Sequence, residues 1–147
     1  MSRQTRRTGT FLVTREHKRF VEFANAVRRN ATIGLCHGRA GVGKTLSARR
    51  YANWDLIEPL ITTWGRREDS DKKVYAASSR ARTLFYTPPV GGSISALRKD
   101  IQPFIMRLCV CIDSYGNPKW AERPLTPLGL IELVIIDEAE RLTMTGL

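Results

Sequence analysis

The sequence predicts an α/β fold, a parallel sheet flanked by helices, and three observations predict it. A short apolar run, Ala31-Thr32-Ile33-Gly34-Leu35-Cys36, leads into a glycine-rich loop, and Leu46 to Asn53 then reads as a helix without Pro or Gly. A second apolar run, Leu133-Val134-Ile135-Ile136, ends in two acids, Asp137 and Glu138. Between the two runs, strand-like and helix-like hydrophobic periods follow one another, as they do in chains that wind helices around a parallel sheet.

The loop comes first because the other elements are arranged around it. Gly38-Arg39-Ala40-Gly41-Val42-Gly43-Lys44-Thr45 fits G-x-x-x-x-G-K-[ST] at every fixed position. Glycines let backbone N–H groups face a triphosphate where a Cβ would block the approach. Lys44 brings a point charge to the β- and γ-phosphates, and the Thr45 hydroxyl suits Mg²⁺. The helix starting there, through Leu46, adds the positive end of its dipole. A random chain of 147 residues matches this pattern in roughly half a percent of cases. The strand before the loop and the helix after it separate it from a glycine turn that binds nothing. The expected ligand is a nucleoside triphosphate, bound by Gly38, Arg39, Ala40, Gly41, Val42, Gly43, Lys44, Thr45 and Leu46.

The acids supply the other half. Leu133 to Ile136 reads as a strand buried on both faces that delivers Asp137 and Glu138 to the sheet edge carrying the loop. Asp137 is expected to hold Mg²⁺ together with Thr45. Glu138 is expected to orient and deprotonate the attacking water, with Lys44 as its catalytic companion. A competing D-x-x-G occurs at Asp113-Ser114-Tyr115-Gly116, but no N-K-x-D follows it. Asp113 therefore reads as a turn residue at a helix end, and the nucleotide as ATP rather than GTP.

The remaining elements follow in order. Residues 1–13 are rich in Arg, Thr and Gly and read as a mobile basic arm. From Thr14 to Arg29, Phe20, Phe23, Ala24 and Val27 line one helix face, with Arg15, Lys18, Glu22 and Arg29 opposite. A membrane-surface helix has the same pattern, but the direct junction with the first strand favours docking on the core. Trp54, Leu56, Ile57, Leu60, Ile61 and Trp64 read as packing residues. Gly65 to Arg80 is polar, mixed in charge and expected to be an exposed insertion. Thr83 to Thr87 is a strand stopped by Pro88-Pro89, and Ile94 to Leu108 is helical, kinked or split at Pro103. Asn117 to Pro127 is loop, and Glu140-Arg141-Leu142 begins a last helix.

Composition narrows the class. An apolar share of 42% and a charged share of 26% suit a soluble domain. Cys36, Cys109 and Cys111 form no C-x-x-C pair, which argues for reduced thiols. No apolar run is long enough to span a bilayer and no signal-peptide core follows Met1, so no membrane role is expected and the location reads as cytoplasmic. His17 and His37 lack partners at metal-ligand spacing and read as structural. Charge is unevenly placed: residues 1–50 hold twelve Lys/Arg against Glu16 and Glu22, whereas residues 51–147 balance, so the whole net charge of +10 lies in the first third. That excess suggests a polyanion, most plausibly nucleic acid, with a solvated basic face as the alternative.

Phe11-Leu12-Val13-Thr14, the amphipathic helix, the phosphate loop running into Leu46-Ser47-Ala48-Arg49-Arg50-Tyr51-Ala52, and Asp137-Glu138-Ala139-Glu140-Arg141-Leu142 together resemble the AAA+ ATPases of bacterial transposons. These are the TniB and MuB kind, with related TnsC-type regulators. The resemblance is specific at the two nucleotide motifs and looser across residues 54–131. It implies a P-loop NTPase sheet of AAA+ type occupying residues 14–147. It also implies ATP, Mg²⁺ and an assembly of identical subunits, filament or ring, on DNA without sequence preference. That assembly would select target DNA, activate a transposase and be released by hydrolysis. The resemblance further implies a sensor-1 strand, an arginine finger and a helical lid after the second nucleotide motif. The chain ends nine residues past Glu138, so it reads as a domain truncated after the Walker B strand, poorly active alone. A DExx-type helicase is the alternative suggested by Asp137-Glu138-Ala139-Glu140. A non-catalytic remnant that joins full-length subunits is another.

Overall fold

Thr14 starts the first helix. Its backbone is extended (φ −92°, ψ 166°), which turns Oγ1 to accept the His17 N–H, and α1 (Arg15–Asn30) follows. In this computed structural model the described residues are 12–37, 43–115 and 130–142. The basic arm, most of the phosphate loop and the proline-rich stretch at 117–127 thus lie wholly or largely outside them. Glu16 in the first turn of α1 and Arg28 and Arg29 in the last complement the helix dipole. Ala24 is buried, and Phe20 meets Tyr51 edge-on at 6.2 Å between ring centroids.

The next helix, α2 (Lys44–Ala52), buries Ser47, Ala48 and Ala52, small side chains that let it lie close to its neighbours. Asn53, in the left-handed region at φ 51°, ends α2 and begins α3 (Trp54–Thr63), turning the chain within one residue. Trp54, Ile57 and Ile61 of α3 are buried in the core, as their spacing predicts.

Residues 72–81 depart from the expected exposed insertion. Glu68 and Asp71 form a reciprocal capping box around a 3-10 turn, and α4 (Lys72–Ala81) follows with Val74, Ala77 and Ser78 buried. It packs on α3 and on the long helix Ile94–Ser114. The stripe is made of small residues set among charges, so its hydrophobic signal is low although its spacing is helical.

The sheet has two strands among the described residues. β1 (Thr83–Tyr86) pairs in parallel with β2 (Leu133–Ile136), Thr83 opposite Leu133 and Tyr86 opposite Ile136. Thr83, Leu84 and Phe85 are buried, whereas β2 is half-buried with Val134 exposed. The more buried strand is therefore β1, not the apolar run before the acids. Thr32 to His37 is unpaired, and Ile33 and Leu35 face solvent, so the expected first strand is not part of the sheet. An extended segment becomes a strand only when a neighbour accepts its ladder. α5 (Ile94–Ser114) is a single helix that runs through Pro103 without splitting, started by Ser93 Oγ accepting the Ala96 N–H. Leu108 to Ile112 are buried, and this strong apolar half keeps the helix intact past the exposed proline. After Glu138 the chain makes a 3-10 turn, Ala139–Arg141, where a helix was expected to begin.

Candidate nucleotide site

Gly43 is the hinge between loop and helix. Its φ of 78° lies in the left-handed region, where a side chain would be strained. As the N-cap of α2 it offers no side-chain acceptor, and the first turn of α2 carries no acid. The start of α2 thus supplies no capping side chain and no acid of its own, the arrangement an anion favours. Lys44 is half-buried at the first position of that helix, and Leu46 is exposed. Gly38, Arg39, Ala40, Gly41 and Val42 lie outside the described residues.

The two sequence motifs meet. Thr45 Oγ1 donates to Asp137 Oδ2 at 2.9 Å, across 92 positions of sequence. Asp137 is fixed from behind, because its N–H donates to the Tyr86 carbonyl at 2.9 Å and so extends the β1–β2 ladder by one bond. A hydroxyl and a carboxylate are hard oxygen donors of the kind Mg²⁺ accepts while keeping several waters, so the residues present fit that ion.

Glu138 stands differently. Its backbone is left-handed (φ 52°, ψ 45°), and its carboxylate pairs with the guanidinium of Arg141 one 3-10 turn later. Arg141 was not singled out from the sequence, since the contact depends on the left-handed residue at 138. Asp113 lies in the last turn of α5 rather than after a strand, so its D-x-x-G has no phosphate-binding setting.

Two other arginines missed by motif reading hold the frame of the site. Arg49, one turn along α2 from Thr45, donates to Asp55 Oδ1 at 2.7 Å and to Glu58 Oε2 at 3.0 Å, and lies over the Phe85 ring at 5.4 Å. Burial works to lower its pKa, but the bonds to Glu58 and Asp55 outweigh it and the net shift is upward. Arg28 ends α1 on Glu132, the residue before β2; there too burial lowers the pKa and bonds to Tyr51 and Glu132 prevail. His17 Nδ1 lies 3.1 Å from Ser47 Oγ, joining the start of α1 to α2. A cavity of about 290 Å³ lies between Arg49, Trp54, Glu58, Phe85, Tyr86 and Phe104. Among the described residues no group of three or more His, Cys, Asp or Glu could hold a metal, and no helix is long and apolar enough to cross a membrane.

Comparison with known proteins adds a family to this geometry. Residues 27–147 match the model of a family described as AAA domain. A protein of Staphylococcus aureus named "Potential ATP-binding protein" is 32% identical over 142 residues, covering 93% of this chain and 51% of that protein. The chain thus spans about half the length of the curated relative it matches. No solved structure matches.

Proposed function

Because the chain belongs to the AAA-domain family, we propose that it binds ATP with Mg²⁺ and forms the nucleotide-binding part of a transposition ATPase that acts on DNA. The observation that carries the reading is the 2.9 Å contact between Thr45 and Asp137. It draws the residue after the phosphate-loop lysine and the first acid after a parallel strand to one point. The printed name of the S. aureus relative supports ATP as the nucleotide. In this reading the first turn of α2 and Lys44 bind the phosphates, while Thr45 and Asp137 hold the ion. When bound, Mg²⁺ neutralises charge on the β- and γ-phosphates. Glu138 orients the attacking water and takes its proton, which first requires that its carboxylate leave Arg141. The chain alone is therefore a slow ATPase.

The DNA part of the proposal is supported by the charge excess confined to residues 1–50 and by the resemblance to transposon ATPases. The transposase and the assembly of identical subunits belong to the same proposal.

Fluorescent ATP titrated into the 147-residue chain with Mg²⁺ tests the nucleotide reading. Lys44→Ala and Asp137→Asn are each expected to weaken binding at least tenfold with the fold intact by circular dichroism. Equal affinity in both variants would sink it.

A further inference from the structure

The cavity of about 290 Å³ stands apart from the nucleotide site, for none of Lys44, Thr45, Asp137 and Glu138 lines it. Its walls are two aromatic pairs. Trp54 and Phe85 lie 6.4 Å apart between ring centroids, and Tyr86 and Phe104 lie 5.8 Å apart. Its charged groups are Arg49 and Glu58. Arg49 takes one oxygen from each of two acids, Asp55 Oδ1 and Glu58 Oε2, which leaves Asp55 Oδ2 and Glu58 Oε1 without a further bond among the described residues. One guanidinium thus faces two carboxylates, and the corner keeps a net negative charge. Asp100 adds to it. Burial raises the pKa of the Tyr86 hydroxyl, and the charge of Asp100 raises it further.

Aromatic faces beside surplus carboxylate oxygens suit a cation, above all a planar one that stacks as well as bonds. Arg49 already shows that pose at the cavity, 5.4 Å from the centroid of Phe85. A nucleobase would suit the aromatic walls but bring phosphates against the acids.

We propose that the cavity receives an arginine side chain from the basic arm of a second copy of this chain. The arm carries Arg3, Arg6 and Arg7 with no acid before Glu16, so it is the complement of an acid-and-aromatic pocket. The chain's own arm fits less well. α1, which follows the arm, meets α2 through His17 and Ser47. Arg49 lies two residues further along α2, on the nearly opposite side of that helix. The root of the arm and the cavity therefore flank α2 from opposite sides. A neighbouring copy meets no such obstacle. An arm-into-cavity contact is head-to-tail, and each copy keeps a free arm or a free cavity for the next. It supplies a joint for the assembly of identical subunits proposed above but needs neither nucleotide nor DNA, so either reading can fail alone.

Sedimentation of the full 147-residue chain without nucleotide or DNA tests it. The chain should self-associate with a dissociation constant on the order of 10⁻⁴ M, since so small a contact is weak. Replacing Arg3, Arg6 and Arg7 together by Gln should weaken association at least tenfold. Glu58→Gln should do the same, and so should Phe104→Leu, which removes an aromatic wall and no charge; circular dichroism should not change. Mixed together, the arm variant and a cavity variant should pair one to one, because the first keeps its cavity and the second its arm. Replacing the same arginines by Lys should restore only part of the loss. Replacing Arg15, Lys18 and Arg29 by Gln removes equal charge from α1 and should leave association intact. The proposal is overturned by a chain that stays monomeric, its own arm in its own cavity included, or by arm and cavity variants that associate like the wild type. It is also overturned if the mixture does not pair, if lysines serve as well as arginines, or if the α1 variant loses as much.

Discussion

Glu138 and Arg141 form a pair whose two side chains are more than a third exposed, and exposed ion pairs are worth at most about 1 kcal/mol. That magnitude limits what Arg141 can do. It biases the Glu138 carboxylate away from a water but cannot lock it. Within the ATPase reading, Arg141→Ala should raise kcat about two- to fivefold at unchanged nucleotide affinity, and Arg141→Lys should fall between. A fall in kcat would instead assign Arg141 to the phosphates. Cys111 gives a residue-scale prediction independent of function. Burial pushes its thiol up to about 12 from an ordinary 9.0. Between those values the unfolded chain has released its proton and the folded chain has not, so stability is full below pH 9 and is lost as pH rises toward 12. The slope is up to about 1.4 kcal/mol per pH unit. Urea midpoints at pH 8 and pH 10 should therefore drop further in the wild type than in Cys111→Ala. An equal drop in both would show that the thiol contributes nothing to the alkaline loss.

At the scale of elements, Pro103 allows a clean measurement, because it sits exposed inside the continuous helix α5. A helix-interior proline costs about 3 kcal/mol against alanine, partly offset by the freedom it removes from the unfolded chain. Pro103→Ala should therefore stabilise the protein by about 1–2 kcal/mol in urea unfolding. No gain would mean that the helix is already relaxed around the ring. The same helix shows what the sequence made legible. The stripe from Ile94 to Leu108 reads as a helix, and the split that Pro103 alone suggests does not occur because a local rule yields to the buried run Leu108–Ile112. Conversely, α4 escaped notice, since Val74, Ala77 and Ser78 contribute little apolar signal between Lys72, Lys73 and Arg80. The apolar run before the phosphate loop was readable as extended chain, but its pairing was not, because pairing belongs to a neighbour. In the site, the meeting of Thr45 with Asp137 was legible because each motif has a fixed place at the carboxyl edge of a parallel sheet. The Arg49 and Arg141 contacts depend on turns at Asn53 and Glu138 that adopt left-handed backbone without glycine, which residue spacing does not encode.

For the molecule as a whole, the charge asymmetry gains a surface in three dimensions. Arg15, Lys18, Arg19 and Arg29 are all exposed on α1, while its other side carries Phe20, Ala24 and the contacts to α2. The helix thus presents a cationic face interrupted by the exposed Glu22, and Glu16 stands 3.7 Å from Arg19 as a weak internal partner. A phosphate backbone meeting that face would release about one counterion per contact, which makes the logarithm of the affinity fall linearly with the logarithm of salt, at about −0.9 per phosphate. Replacing Arg15, Lys18 and Arg29 together by Gln should leave the fold untouched, since all three side chains are exposed. Three lost contacts should make the slope shallower by about 3, with equal effect on duplexes of unrelated sequence, because backbone contacts position a protein without reading bases. Fluorescence anisotropy between 50 and 200 mM salt, roughly the range over which such contacts are felt, measures that slope directly. An unchanged slope would remove α1 from the DNA surface and leave the basic residues preceding it as the candidate. Within the proposed DNA reading, a sequence-dependent loss would point instead to base contacts.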